Sequence, residues 1–150
     1  MSALVTPELE RLRRGPGDAP APPDLVSLNA RCKGGTAGDV LQRVRAVLEP
    51  IAEAPKPWPS LDEWRQQLPR WFVDATSDDE RVTTCVVDKW SLRAWIWWFQ
   101  PDQRRWLWWD AALDGDTLRI RLVPTGTGSL LLGALDFLLR AAGATSSEGG

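Results

Sequence analysis

Hydrophobic positions along this 150-residue chain alternate between two periods, one helical and one extended. Between Thr36 and Pro50, Val40, Val44, Val47 and Leu48 recur at helical spacing while Gln42, Arg43, Arg45 and Glu49 face elsewhere, which predicts a helix with one buried stripe. Thr36 with Asp39 resembles a capping box, and Pro50 is expected to end the helix because it has no N–H and pushes Glu49 out of the helical region. Ser60 with Glu63 is a second capping box, opening a short helix whose stripe is Leu61, Trp64 and Leu68 and whose stop is Pro69. Ahead of both, Thr6-Pro7-Glu8 has the order of a helix start, and a short helix to about Arg14 follows.

The period then shortens. Val82 to Val87 is dense in β-branched residues and reads as a strand, and three further strands are expected at about 93 to 99, 104 to 111 and 117 to 123. Gln100-Pro101-Asp102-Gln103 has proline where a type I turn takes it, and Asp114-Gly115 is a two-residue hairpin signal. The centre of the chain is thus predicted to be a tryptophan-rich antiparallel hairpin from Arg93 to Ala111. An almost wholly apolar helix from about Ser129 to Ala142, with Gly143 as its cap, closes the pattern.

These elements define an α+β fold, an antiparallel β-meander of three to four strands packed with N-terminal helices and one apolar C-terminal helix. Gly15 to Asp24 is a Pro/Gly linker and Pro55 to Pro59 a stiff connector. The chain therefore divides into an arm at 1–27, mobile or docked on the body, a single α+β domain at 28–143, and a tail at 144–150 that is disordered by composition.

Because opposite residues in a hairpin have constant summed numbers, the two turns predict a register. Trp97 is set opposite Trp106 and Trp95 opposite Trp108; in the second hairpin Ile120 is set opposite Trp109 and Arg121 opposite Trp108. One face then carries Ala94, Ile96, Trp98, Leu107, Trp109, Leu118, Ile120 and Leu122, a plain core surface. The other carries Trp95, Trp97, Trp106 and Trp108 with Arg104, Arg119 and Arg121. Two readings of that mixed face stand side by side. Either Trp58, Trp64 and Trp71 cover it as core, or part of it stays open, since indoles flanked by arginines have the composition of an interface hot spot.

Composition narrows the chemistry. The absence of histidine removes imidazole-based acid–base couples and imidazole metal ligands, and Asp74, Asp78, Asp79 and Glu80 read as a solvated loop. Cys32 and Cys85 share no metal or redox spacing and read as reduced thiols. Lys33-Gly34-Gly35-Thr36 has its lysine ahead of the glycines, the reverse of a phosphate loop, while the stretch Gly126 to Ser129 has a strand-to-helix context without the full glycine spacing. No cofactor or metal site is expected. A net charge of −2 argues against a nucleic-acid binder, and the apolar runs are too short to span a bilayer. Fifteen Arg against three Lys, with abundant Ala, Gly and Pro, points to a high-GC bacterial genome and, with no leader, to the cytoplasm.

The function expected is a non-catalytic protein-binding module: an adaptor, an inhibitor or immunity-type protein, or an assembly subunit acting with the product of a neighbouring gene. Its partner-binding residues are Trp95, Trp97, Trp106, Trp108, Arg104, Arg119 and Arg121, and a homodimer is compatible with this reading. The alternatives are single-stranded nucleic-acid binding, with indoles stacking bases and arginines tracking phosphates, and a small-ligand or enzyme domain built on the Gly126 to Ser129 loop.

Overall fold

The segment Val26 to Cys32 alternates apolar residues (Val26, Leu28, Ala30, Cys32) with polar ones (Ser27, Asn29, Arg31), and it forms a strand that the whole sheet is built around. The computed structural model describes residues 8–18, 20–54, 57–77, 90–125 and 132–149. In chain order the elements are α1 (Glu8–Arg14), β1 (Val26–Cys32), α2 (Ala37–Ala52), α3 (Leu61–Gln67), α4 (Arg70–Ala75), α5 (Leu92–Trp97), β2 (Trp106–Asp114), β3 (Thr117–Pro124), α6 (Gly133–Ala142) and β4 (Ala144–Gly149). The four strands form one antiparallel sheet in the order β2-β3-β1-β4, so the fold is α+β, as the sequence predicts. The strand expected at 82–87 and the loop at 126–129 lie outside the described residues.

The predicted strand at 93–99 is instead a helix. Leu92, Trp95, Ile96 and Phe99 are spaced i, i+3, i+4 and i+7 and are all buried, whereas Arg93 and Trp97 are exposed. Ser91 starts the helix, its side chain accepting from the Ala94 N–H at 3.1 Å. Trp and Ile favour strands on average, but here the cap and the 3.6-residue stripe agree with one another and prevail. The tryptophan hairpin therefore does not exist, and neither do the pairings of Trp97 with Trp106 and Trp95 with Trp108.

The hairpin that does form joins β2 to β3. Asp114 pairs with Thr117, so the two turn residues are Gly115 and Asp116, one position later than expected, with Gly115 at φ +60°. A bulge between Trp108 and Asp110 then shifts the register again, placing Trp108 opposite Leu122 and Trp106 opposite Pro124. Together these slips turn Trp106 and Trp108 into the core beside Leu118, Ile120 and Leu122.

Two further departures concern helix ends and the tail. Helix α2 buries the predicted Val40, Val44, Val47 and Leu48, yet it runs through Pro50 to Ala52, and the Glu53 N–H still reaches the Glu49 carbonyl at 3.0 Å. In its last turn the proline costs only one N–H. The Thr36 side chain makes no cap bond and donates to the Lys33 carbonyl instead. Ser60 and Glu63, by contrast, form both bonds of the predicted box. The tail, expected to be disordered, is strand β4: Gly143, at φ +121°, turns the chain back, and the free side of β1 supplies a backbone ladder that small polar residues can occupy. Cys32 pairs with Ala144, and Leu28 with Gly149.

Helices α2 and α6 cover the sheet face bearing Leu28, Ala30, Leu118, Ile120 and Leu122. No helix among the described residues is long and apolar enough to cross a membrane. If 92–97 is a capped helix, Ser91→Ala lowers stability by about 1 kcal/mol. Urea unfolding of the variant checks this; in a strand the substitution would have no cap to remove.

Candidate partner-binding surface

The seven residues singled out from the sequence lie in four places. Trp95 is fully buried on α5, its ring against Phe72 and Phe99 (centroids 4.5 and 4.3 Å) and its indole N–H donating to the Ala134 carbonyl at 2.8 Å. Trp106 and Trp108 are also core, Trp106 meeting Phe99 edge-on. These three indoles are core and not part of an open surface. Arg119 is exposed with its Nε 3.3 Å from Asn29 Oδ1, and Arg121 pairs with Asp110 on the neighbouring strand, Nε to Oδ1 at 2.7 Å. The hydrogen bond that Arg121 donates to Asp110 raises the Arg121 pKa, with burial opposing it. These two arginines sit on the polar side of the sheet, alternating with buried Leu118, Ile120 and Leu122, so they do not share a face with Trp106 and Trp108. A stacking platform for bases is missing from that surface.

Trp97 is the exception. Of ten tryptophans it alone is classed as exposed, at 43%, and Trp98 meets it edge-on with centroids 4.8 Å apart and planes at 88°. Helix α5 is held by Leu92, Trp95 and Ile96 on its buried side, which leaves Trp97 displayed on a fixed element.

Arg104 belongs to a different construction. Strand β2 is an edge of the sheet, and an edge leaves backbone groups to be satisfied. At Trp108 helix α1 satisfies both: the N–H donates to Glu8 Oε2 at 2.7 Å, and the carbonyl accepts from Arg11 Nε at 2.7 Å. The i and i+3 positions of one helical face present an acceptor and a donor as a neighbouring strand would. The other contacts of Glu8 are bidentate, from Arg104 Nη1 at 2.7 Å and Nη2 at 2.5 Å, both side chains being about 10% exposed. The Arg104 guanidinium also lies over the rings of Trp106 (5.0 Å) and Phe99 (5.4 Å). Arg11 is buried, with its guanidinium 5.3 Å from the Trp109 ring centroid; burial lowers its pKa, Glu8 raises it and Arg104 lowers it further. Beside this seam opens a cleft of about 580 Å³, lined by Glu8, Trp58, Phe99, Arg104, Arg105 and Leu107.

Glu8, Arg11 and Trp58 were not among the residues expected at a site. Their one sequence signal is Glu8-x-x-Arg11 on a single face of a short helix, and nothing in the sequence connects it to residues 104 and 108. Among the described residues no group of three or more Cys, Asp or Glu side chains is placed to hold a metal ion. Comparison with protein families, with characterised proteins and with solved structures gives no match.

Burial and, secondarily, Asp116 push the Cys32 thiol above its usual range. Because the raised group favours the protonated state in the fold, its contribution to stability is complete below the ordinary thiol pKa and is lost as pH rises through the folded value. At about pH 8.5, alkylation of Cys32 is accordingly slower in the native chain than in urea, as peptide mapping will show. At the seam, Glu8→Ala removes the anchor that holds α1. Trypsin cleavage after Arg11, Arg13 and Arg14 accelerates by about tenfold for each 1.4 kcal/mol of docking lost, and a cleavage rate equal to the wild type's would show that Glu8 does not hold the helix.

Proposed function

We propose that this chain is a non-catalytic protein-binding module whose contact surface centres on Trp97. The observation that carries the reading is that one indole of ten stands on the surface, propped by Trp98 at the end of an anchored helix. An exposed indole costs little conformational entropy to immobilise and offers a large contact area, which is why tryptophan dominates interface hot spots. The absence of histidine from the sequence supports the non-catalytic side of the reading.

Within that class the chain is an adaptor, an inhibitor or immunity-type protein, or an assembly subunit, in a bacterial cytoplasm, with a partner encoded by a neighbouring gene. Arg104 is not part of this contact surface, since it is engaged by Glu8. The partner surface expected is one with a pocket for an indole, not an extended acidic stripe.

A photo-crosslinking residue placed at position 97 is expected to capture the neighbouring gene's product in extracts of the native host. Trp97→Ala is expected to weaken that association by at least about 2 kcal/mol, the hot-spot threshold, and to leave the urea midpoint unchanged. Retention of the same partner by Trp97→Ala at wild-type affinity would refute the assignment. Trp108→Ala serves as the contrast, since truncating a fully buried indole lowers stability by about 3–5 kcal/mol.

A further inference from the structure

We propose that α1 is an exchangeable arm: it docks on the β2 edge of a second copy of this chain, and two copies exchanging arms form a closed, two-fold dimer. The docking surface is the seam already described, and its occupant is identified by chemistry on both sides. Glu8 supplies the carboxylate for Arg104 and the Trp108 N–H, Arg11 supplies the donor for the Trp108 carbonyl, and Leu12 is fully buried. All these anchors fall within one and a half turns of helix. A second copy's α1 carries the same groups in the same order, so a trans arrangement makes every contact that the cis arrangement makes.

What joins α1 to the body decides between the two. Residues 15–25 include Pro16, Pro20, Pro22 and Pro23 and form neither helix nor strand where described. The described positions of this tract are exposed or half-buried, so reorienting them gives up little packing. Gly15 at φ +81° and Gly17 at φ +61° make the turns at its start, and both can straighten without a steric penalty. A proline-rich tract favours an extended course, which carries the arm away from its own body.

Tethering competes with exchange. A short flexible tether gives an effective concentration on the order of 1 mM, so the closed monomer dominates in dilute solution even if the two docking modes are equal in contacts. An experiment that removes the cis option exposes the trans one. Glu8→Ala with Arg11→Ala gives a chain with an intact groove and no competent arm; Arg104→Ala gives a chain with an intact arm and an impaired groove. Neither can close properly on itself, and only the first groove with the second arm makes a full set of contacts.

In sedimentation velocity at concentrations up to ~1 mM, each variant alone is expected to remain at the 16.7 kDa monomer mass, and their mixture to yield a 1:1 complex of twice that mass. In the mixture the arm of the Arg104→Ala chain should regain protection from trypsin. Should Arg104→Ala fail to unfold cooperatively, Arg104→Gln, which keeps a polar side chain but neither the charge nor the fork, takes its place. A mixture that stays monomeric overturns the proposal, as does dimerisation of either variant alone to the same extent. The exchange is independent of Trp97, so adding Trp97→Ala to both chains leaves the complex intact.

Discussion

A connected series of aromatic rings holds the helices to the sheet, and most of the architecture follows from the need to enclose it. Phe72 of α4 contacts Trp71, Trp95 and Phe137, with centroids at 6.0, 4.5 and 5.9 Å; Trp95 continues to Phe99, and Phe99 to Trp106 on β2. Phe137 in turn meets Trp90 at 6.3 Å. Each such pair adds about 0.5–1.5 kcal/mol beyond the burial of its area, and the geometry is mostly tilted or edge-on, which ties the orientation of one element to the next. Because α4, α5, α6 and β2 each contribute a ring, none can move far without unpacking another. The tryptophan richness of the chain is in large part the cost of building a core from short helices.

Enclosing Trp108 creates a second constraint. Its side chain is buried, yet its peptide groups lie on an edge strand beyond which no further strand follows among the described residues. Groups left there without partners would be desolvated or would invite another chain to pair. A helix cannot offer backbone bonds sideways, so α1 meets the need with side chains one turn apart. Placing a carboxylate on both Arg104 and the Trp108 N–H also neutralises a guanidinium that is about nine-tenths buried. One residue, Glu8, thus serves the edge and the charge together.

The helices with matched local signals were legible in the sequence: α2 from its stripe, α3 from its Ser60/Glu63 box, and the β2–β3 turn to within one residue. The misreading at 93–99 came from aromatic residues that satisfy both periods; Ser91 and Leu92, just outside the window taken as a strand, carry the information that decides it. Strand β1 was missed although it alternates cleanly, because its small and polar residues have little strand propensity and it follows a proline-rich tract. Strand β4 has no signal of its own and exists because β1 presents an unpaired side. Of the four indoles named as a contact surface, only Trp97 is exposed. Arg104 was named for the wrong surroundings, since its partner lies almost a hundred residues away in sequence, and a bulge at Trp108 is not written in any turn motif.

The position of β1 has a consequence for how the chain is made. It is synthesised before β3 and β4 and ends up between them in the interior of the sheet. Leu28 pairs on one side with Ile120 and on the other with Gly149, so the strand has neither neighbour until those later segments have been made. The hairpin and the helices can form locally beforehand, but the loop-closure entropy of joining β1 to them must be met in one late step. On the ribosome, then, the nascent chain carries two unsatisfied edges at β1 until β3 emerges, and the sheet is complete only once β4 has followed.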